Sequence, residues 1–451
     1  VVSLSVLGSY RETGWNQWAW SQIEERSCSG GVACPPSDLD YALPTMYSET
    51  EGAVLNAGSL LGEKAHLELT LGAMRFMNWN RIYSTEGGYV GEDEGYLYWL
   101  EEYLHPDLVE DSLGFFRKGI HRNVWFDSRS DVFSADLDLD WNPGPRFRLK
   151  AGAGAKYYDL YQYNVYCPSG ANSYLSLWNA YPHSSNAYVQ GTLRFTGGGI
   201  VTAGARGDYF DPNTSAYSTE EDSAMQVDPK VHISPRASFS VPFGERSLFF
   251  TTYGHYFQLP PMNCYYLQTV YATGADRVVA GNPDLEPELT TMYEVGIRHE
   301  LDRLSDVALS FYYKDMSGLI STENHSEGDY FVFSNDDSHG SATGIEISVS
   351  RRQGENLSGQ LFYSYSIAEG KYSDMLEEWN LAQSESVVLL REDNPLDWDQ
   401  SHKAGVSAGY QFFDGEGFSL AGINPMENTA FNLSWSYASG MPYTVITTGG
   451  V

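Results

Sequence analysis

The residues best suited to chemistry in this sequence are acids, and their spacing favours electrostatics over catalysis. Asp136, Asp138 and Asp140 take every second position of one run, and Arg146, Arg148 and Lys150 do the same in the next. If Asn142-Pro143-Gly144-Pro145 turns the chain and the hairpin is centred on Pro143, Asp140 opposes Arg146, Asp138 opposes Arg148 and Asp136 opposes Lys150. Opposite charges directly across a strand pair contribute roughly 0.2–1 kcal/mol each, so the expectation is a charge ladder on one face of a hairpin. The ten histidines are scattered, and His255, His299 and His402 fall on or beside strands. No nucleophile, base and orienting acid share a recognisable spacing, so no catalytic residue is assigned and no enzyme is expected. Glu92-Asp93-Glu94, Glu220-Glu221-Asp222 and Asp336-Asp337 lack the ligand spacing of a calcium loop and read as solvated surface charge. No metal or cofactor is expected.

Among the four cysteines, Cys28 and Cys34 flank Gly30-Gly31 and are spaced for a small disulfide loop in an oxidising compartment, the alternative being two free thiols. Cys167 is paired with Cys264 in the disulfide reading. None has a metal-ligand neighbour at zinc spacing. Trp15, Trp18 and Trp20, with Tyr265 and Tyr266 beside Cys264, lie in the segments between strands or near a strand end. Two readings stand for these aromatics: an interfacial girdle, or a platform that contacts a ligand.

The elements that must position these residues are strands. Asp and Glu number 59 against 27 Lys and Arg, a formal charge of −32, which excludes a nucleic-acid partner. Hydrophobic residues make up 42% of the chain, too many for disorder, yet no run approaches the ~18 apolar residues of a membrane helix. Aromatic residues reach 14%, with 44 glycines, a composition of strands and turns. Apolar residues alternate with polar ones throughout, as in Phe133, Ala135, Leu137, Leu139 and Trp141. About 15 such runs follow one another, mostly near the ~9–11 residues that a tilted membrane strand needs. Short turns near 61–64, 142–145, 196–199, 242–246, 302–305 and 352–356 alternate with long polar segments near 21–50, 78–123, 161–183, 212–231, 259–288, 318–340 and 370–399. Only 413–428 is longer than its place predicts. Short turns at one rim and long loops at the other predict an all-β, transmembrane antiparallel β-barrel of the bacterial outer membrane, occupying residues 1–451 as one partial domain. The ladder of Asp136, Asp138, Asp140, Arg146, Arg148 and Lys150 would then face the lumen.

Several segments resemble TonB-dependent outer-membrane receptors. Gly281-Asn282-Pro283-Asp284-Leu285-Glu286-Pro287-Glu288, followed by Tyr293-Glu294-Val295-Gly296, is similar to the family's element that enters a barrel strand from an outer loop. Gly204–Phe210, Ile233-Ser234-Pro235-Arg236, Tyr253–Pro260, Gly344-Ile345-Glu346-Ile347, Asn394–His402 and Ser439–Thr444 resemble further family segments, in family order. Ser401 stands where the family commonly has Arg. The arrangement is most similar to large-loop receptors with a carboxypeptidase-regulatory-like N-terminal domain, of the Oar type. The resemblance implies a barrel of about 22 strands, an N-terminal plug and a segment that engages the TonB complex, so both ends of this sequence are expected to be cut. It also implies partners: outer-membrane lipid and lipopolysaccharide, and the TonB complex through the N-terminal region. The expected function is energised import of a scarce nutrient, such as a chelate, peptide or glycan. The alternative is a structural or adhesive barrel that serves as a platform for a surface protein partner.

Overall fold

A run with one apolar and one polar face is stable only when its backbone is paired on both edges and its neighbours keep the same faces together. The structure, a computed structural model, does this for the inner strands of one antiparallel sheet of 18, whose first and last strands are paired on one edge among the described residues. It describes residues 2–13, 45–81, 123–167, 174–218, 223–267, 269–271, 278–324, 330–335, 338–354, 356–379, 393–420 and 422–442. The principal strands are β1 (Val2–Thr13), β2 (Thr45–Leu61), β3 (Ala65–Arg81), β4 (Asn123–Gly144), β5 (Phe147–Cys167), β6 (His183–Arg194), β7 (Ile200–Asp211) and β8 (Lys230–Phe243). They continue as β9 (Ser247–Gln258), β10 (Glu288–Glu300), β11 (Ser305–Ser317), β12 (His339–Arg351), β13 (Leu357–Gly370), β14 (His402–Gln411) and β15 (Ala430–Ala438). Each pairs antiparallel with the next, a meander in agreement with the about 15 strands expected.

The two rims differ as the sequence predicts. At one, neighbours are joined through 62–64, 145–146, 195–199, 244–246, 301–304 and 352–356, with 412–429 the long exception. At the other the connections are 14–44, 82–122, 212–229, 259–287, 318–338 and 371–401. One face of the sheet is apolar and exposed, with Phe133, Leu137 and Trp141 on β4, Tyr293, Val295 and Ile297 on β10, and Phe431, Leu433, Trp435 and Tyr437 on β15. A continuous apolar face of this extent is the lipid-facing surface of a barrel. Among the described residues no helix is long and apolar enough to cross a membrane; the strands do so instead.

Two expectations are corrected here. The segment 161–183 is not a long loop, because β5 runs on to Cys167 and the strand Tyr174–Ala180 pairs with it from Tyr166 to Leu160. Tyr157–Tyr166 holds five tyrosines and Val165, residue types that favour strand on either face. Tyr174–Ala180 and β6 share one register against β5, interrupted only at Tyr181-Pro182, where Tyr158 N still donates to Pro182 O at 3.0 Å. The second correction concerns the charged hairpin. Asp140 opposes Lys150, Asp138 opposes Gly152 and Asp136 opposes Gly154, not the partners that centring on Pro143 predicts. An irregularity between Trp141 and Gly144 absorbs Asn142-Pro143, and the turn falls at Pro145-Arg146.

At 22 and 21 residues, β4 and β5 are far longer than a bilayer requires. Above Phe133 their apolar face gives way to charge. Arg75 Nε lies 2.7 Å from Asp131, and Arg129 lies 3.6 Å from Asp131 and 3.5 Å from Asp159. All four share the outward face with Phe133.

At the opposite rim, Asp302 closes the turn between β10 and β11. Its carboxylate accepts from Leu304 N at 2.7 Å, Ser305 N at 2.9 Å, Ser305 Oγ at 3.2 Å and Arg351 Nη1 at 3.2 Å. The Leu304 backbone N–H holds this carboxyl below its ordinary value of 3.8; desolvation opposes it, and the Ser305 donors and the Arg351 charge add to the lowering. A depressed carboxyl contributes stability above its unfolded value and loses it as pH falls through the folded one. Asp302→Asn is therefore expected to lower the urea midpoint near pH 7, with the gap from the parent protein closing below about pH 4. A gap unchanged at pH 3 would rule out the charged form as its source.

Candidate ligand site at the loop-side rim

Three long connections fold together over the rim. The connection 259–287 contributes the helix Met262–Tyr266 and the strand Val278–Ala280. That strand runs parallel to Tyr330–Ser334, which pairs antiparallel with Ser321–Asn324 from the connection 318–338. Residues of 371–401 lie against the same core, where Cys264, Tyr265, Leu285, Phe331, Phe333 and Ile320 are buried with Trp178 and Phe210 from the wall. A second layer above the barrel, with its own apolar core, results.

The segment Gly281–Glu288 fastens that layer. Asn282 donates its backbone N–H to Cys264 O at 2.8 Å and its Nδ2 to Phe333 O at 3.0 Å, while its Oδ1 accepts from Asp284 N at 2.9 Å. Leu285 is 1% exposed. Glu288 Oε1 accepts from Ile320 N at 3.0 Å, and Asn335 Nδ2 donates to Glu286 O at 2.7 Å. A Cβ on Gly281 would lie 2.5 Å from Leu267 N and 2.8 Å from Tyr265 C, so only glycine fits against that backbone. Asp284 and Glu286 reach the wall, at 2.7 and 2.9 Å from Lys230 Nζ.

Beneath this fastening the wall parts. The β8–β9 ladder ends at Arg236 and Gly254, although β8 continues to Lys230 and β9 to Gln258. Pro235, the residue next to the last pair, has no N–H to offer. His232 Nε2 and Ser234 Oγ are left buried with no hydrogen-bond partner among the described residues. A cavity of about 160 Å³ opens here, lined by Lys156, Tyr158, Asn186, Arg206, Asp208, Lys230, His232, Phe257 and Pro287 among others.

Farther along the same inner face lies the acidic row. Arg148 Nε donates to Asp140 Oδ1 at 2.8 Å, and its Nη2 meets the second carboxylate oxygen. Tyr188 Oη donates to Asp138 at 2.5 Å. Gly152 and Gly154 stand between, and a Cβ at either would strike the Asp138 or Asp136 carboxylate, so the acids lean across β5 towards β6. Sequence reasoning placed these charges on one face but missed Tyr188, which follows only from the three-strand register. Arg206 falls within the Gly204–Phe210 segment and Lys156 on the polar side of its strand, but their convergence with Lys230 was not legible, because it follows only from the register of β5 to β8.

The remaining candidates are dispersed. Trp15, Trp18, Trp20, Cys28 and Cys34 lie outside the described residues, as do the acidic triplets and Asp336-Asp337. Tyr265 and Tyr266 are buried, at 1% and 6% exposure, with Tyr266 Oη donating to Pro212 O at 2.7 Å. Packing of the helix into the loop core buries both rings rather than leaving them at the surface. Cys264 is a buried free thiol 3.8 Å from Met375 Sδ, so the pairing with Cys167 is not made. His255, His299 and His402 each meet one hydroxyl partner, Tyr253, Ser247 and Tyr363.

The meander, the unequal rims and the apolar outer face define a transmembrane β-barrel wall. Residues 39–449 match the family model of the TonB dependent receptor-like β-barrel, and the chain belongs to that family, whose place is the bacterial outer membrane. The ferric yersiniabactin uptake receptor FyuA from Yersinia pestis is similar over 96% of this chain and 59% of its own, at 11% identity and a TM-score of 0.56. The outer membrane transporter YddB from Escherichia coli is similar over 97% and 58%, at 12% and 0.56. The FrpB iron transporter from Neisseria meningitidis is similar over 91% and 54%, at 12% and 0.53. These likenesses are of fold, and the chain spans under two thirds of each protein. None of the curated proteins matches the sequence.

Two measurements test this geometry. Asp138→Leu leaves the Tyr188 hydroxyl without its acceptor, a loss of about 1–3 kcal/mol. It is expected to weaken heat-resistance of the folded band on gels, whereas Asp414→Leu in the exposed 412–429 connection is expected not to. Burial, with a smaller effect of the Glu288 charge, pushes the Cys264 thiol up to about 12. Because the thiolate is the nucleophile, raising pH from 7 to 9 is expected to leave alkylation of the Cys264 peptide slow in folded protein and fast only in urea; fast labelling when folded would show the core open.

Proposed function

We propose that this chain forms the wall and loop layer of a TonB-energised importer of the outer membrane, which takes up a nutrient too large or too scarce for passive pores. The observation that carries the reading is the loop layer itself: three connections share one apolar core, and one of them is bonded to the inner wall by Asp284 and Glu286 on Lys230. A pore for bulk diffusion has no use for a folded layer over its mouth. Family membership supports the same reading, as do similar folds among proteins described as an iron transporter and a ferric chelate uptake receptor. On this reading a metal chelate is the cargo class, outer-membrane lipid and lipopolysaccharide surround the apolar face, and the TonB complex supplies the energy.

Cells carrying the full-length protein are expected to accumulate at least one radiolabelled ferric chelate, and to lose that uptake when TonB is deleted or the proton-motive force is collapsed. Uptake that persists in both conditions would make the barrel a passive pore. No energised uptake across a panel of chelates, peptides and glycans would remove the importer reading.

A further inference from the structure

The residues lining the cavity between β5, β7, β8 and the loop base include more cations than acids, although Asp208 pairs with one of those cations and Asp284 and Glu286 with another. Overall, 59 acids face 27 Lys and Arg, yet three cations and one acid, Asp208, line this cavity. They come from three strands: Lys156 from β5, Arg206 from β7 and Lys230 from β8. Asp208, only 8% exposed, takes both of its oxygens to Arg206 Nε, at 2.9 and 3.0 Å. The outer nitrogens of that guanidinium make no hydrogen bond among the described residues, and neither does Lys156. His232 adds a buried Nε2 without a partner. Lys230 is committed to two carboxylates: Asp284 and Glu286 reach it from the loop at 2.7 and 2.9 Å.

Resting on the importer reading above, we propose that this cavity is an oxyanion subsite. It receives a carboxylate or phosphate group of the cargo on Lys156 and Arg206, and the loop's Asp284 and Glu286 compete with that group for Lys230. Two cationic donors in a partly enclosed space favour a localised anion, because both interactions are charge-assisted. An arginine held through Nε by an internal acid presents its remaining N–H groups at a fixed angle, as bidentate recognition of an oxyanion requires. The loop acids already show Lys230 receiving carboxylates. A cargo anion that displaces them would loosen the loop from the wall, so occupancy and loop release are coupled through one ammonium.

The test is calorimetric titration of the full-length protein in detergent with citrate and with inorganic phosphate, and with sucrose as an uncharged control. Binding of either anion but not sucrose is expected, and the tighter of the two identifies the group. Lys156→Gln leaves no partner unmet, so it is expected to fold normally and weaken binding by about tenfold. The double variant Asp284→Asn, Glu286→Gln frees Lys230 and is expected to tighten binding, a gain that mere structural damage would not produce. Absence of anion binding, unchanged affinity in Lys156→Gln, or no gain in the double variant would overturn the proposal. Energised uptake without anion binding overturns this subsite alone, whereas anion binding without energised uptake overturns the importer reading instead.

Discussion

Within hydrocarbon no water satisfies a backbone N–H or C=O, and each one left open costs several kcal/mol. That requirement fixes the antiparallel ladder from Val2 to Ala438, and the rest of the molecule is arranged around it. Once the register is set, alternation assigns every side chain to lipid or to the inner face. Where the ladder is relaxed, the structure changes character. At Pro182 the interruption is local and the register carries through. Beside Pro235 the β8–β9 ladder stops for good, and buried polar groups without partners collect at the gap.

The loop layer obeys a different rule. It lies outside the bilayer, so it can use turns, a parallel strand pair and side-chain bonds to backbone, as in Asn282 and Asn335. Its stability comes from a small apolar core that draws on both loop and wall, with Phe210 and Tyr265 rings 5.2 Å apart. The wall thus contributes to the layer that covers it, and neither can shift far without disturbing the other.

How much of this was legible in the sequence depends on the range of the interaction. Strands whose faces alternate, such as β4 and β10, are visible in a dozen residues, and so are the short turns. The Gly281–Glu288 segment was legible as a family element, but its bonding to Phe333, Ile320 and Lys230 was not, since those partners lie about 30 to 55 residues away. The charged hairpin shows the middle case: period gave the faces, but the irregularity at Asn142-Pro143 moved the opposition by two inward positions. The burial of Tyr265, Tyr266 and Cys264 was not legible, because a short stretch of sequence says little about whether several loops share a core.

The ion pairs Arg75–Asp131 and Arg129–Asp159 do more than join strands. They sit on the outward face just beyond Phe133, so a displacement of the barrel by one residue pair, roughly 7 Å along the strand, would bring them to the hydrocarbon edge. A buried charge on the lipid face of such a barrel costs about 2–4 kcal/mol at the midplane and far less near the interface. The cluster therefore acts as a waterline. It sets how deep the wall rides in the membrane and keeps the loop layer at a fixed height above it.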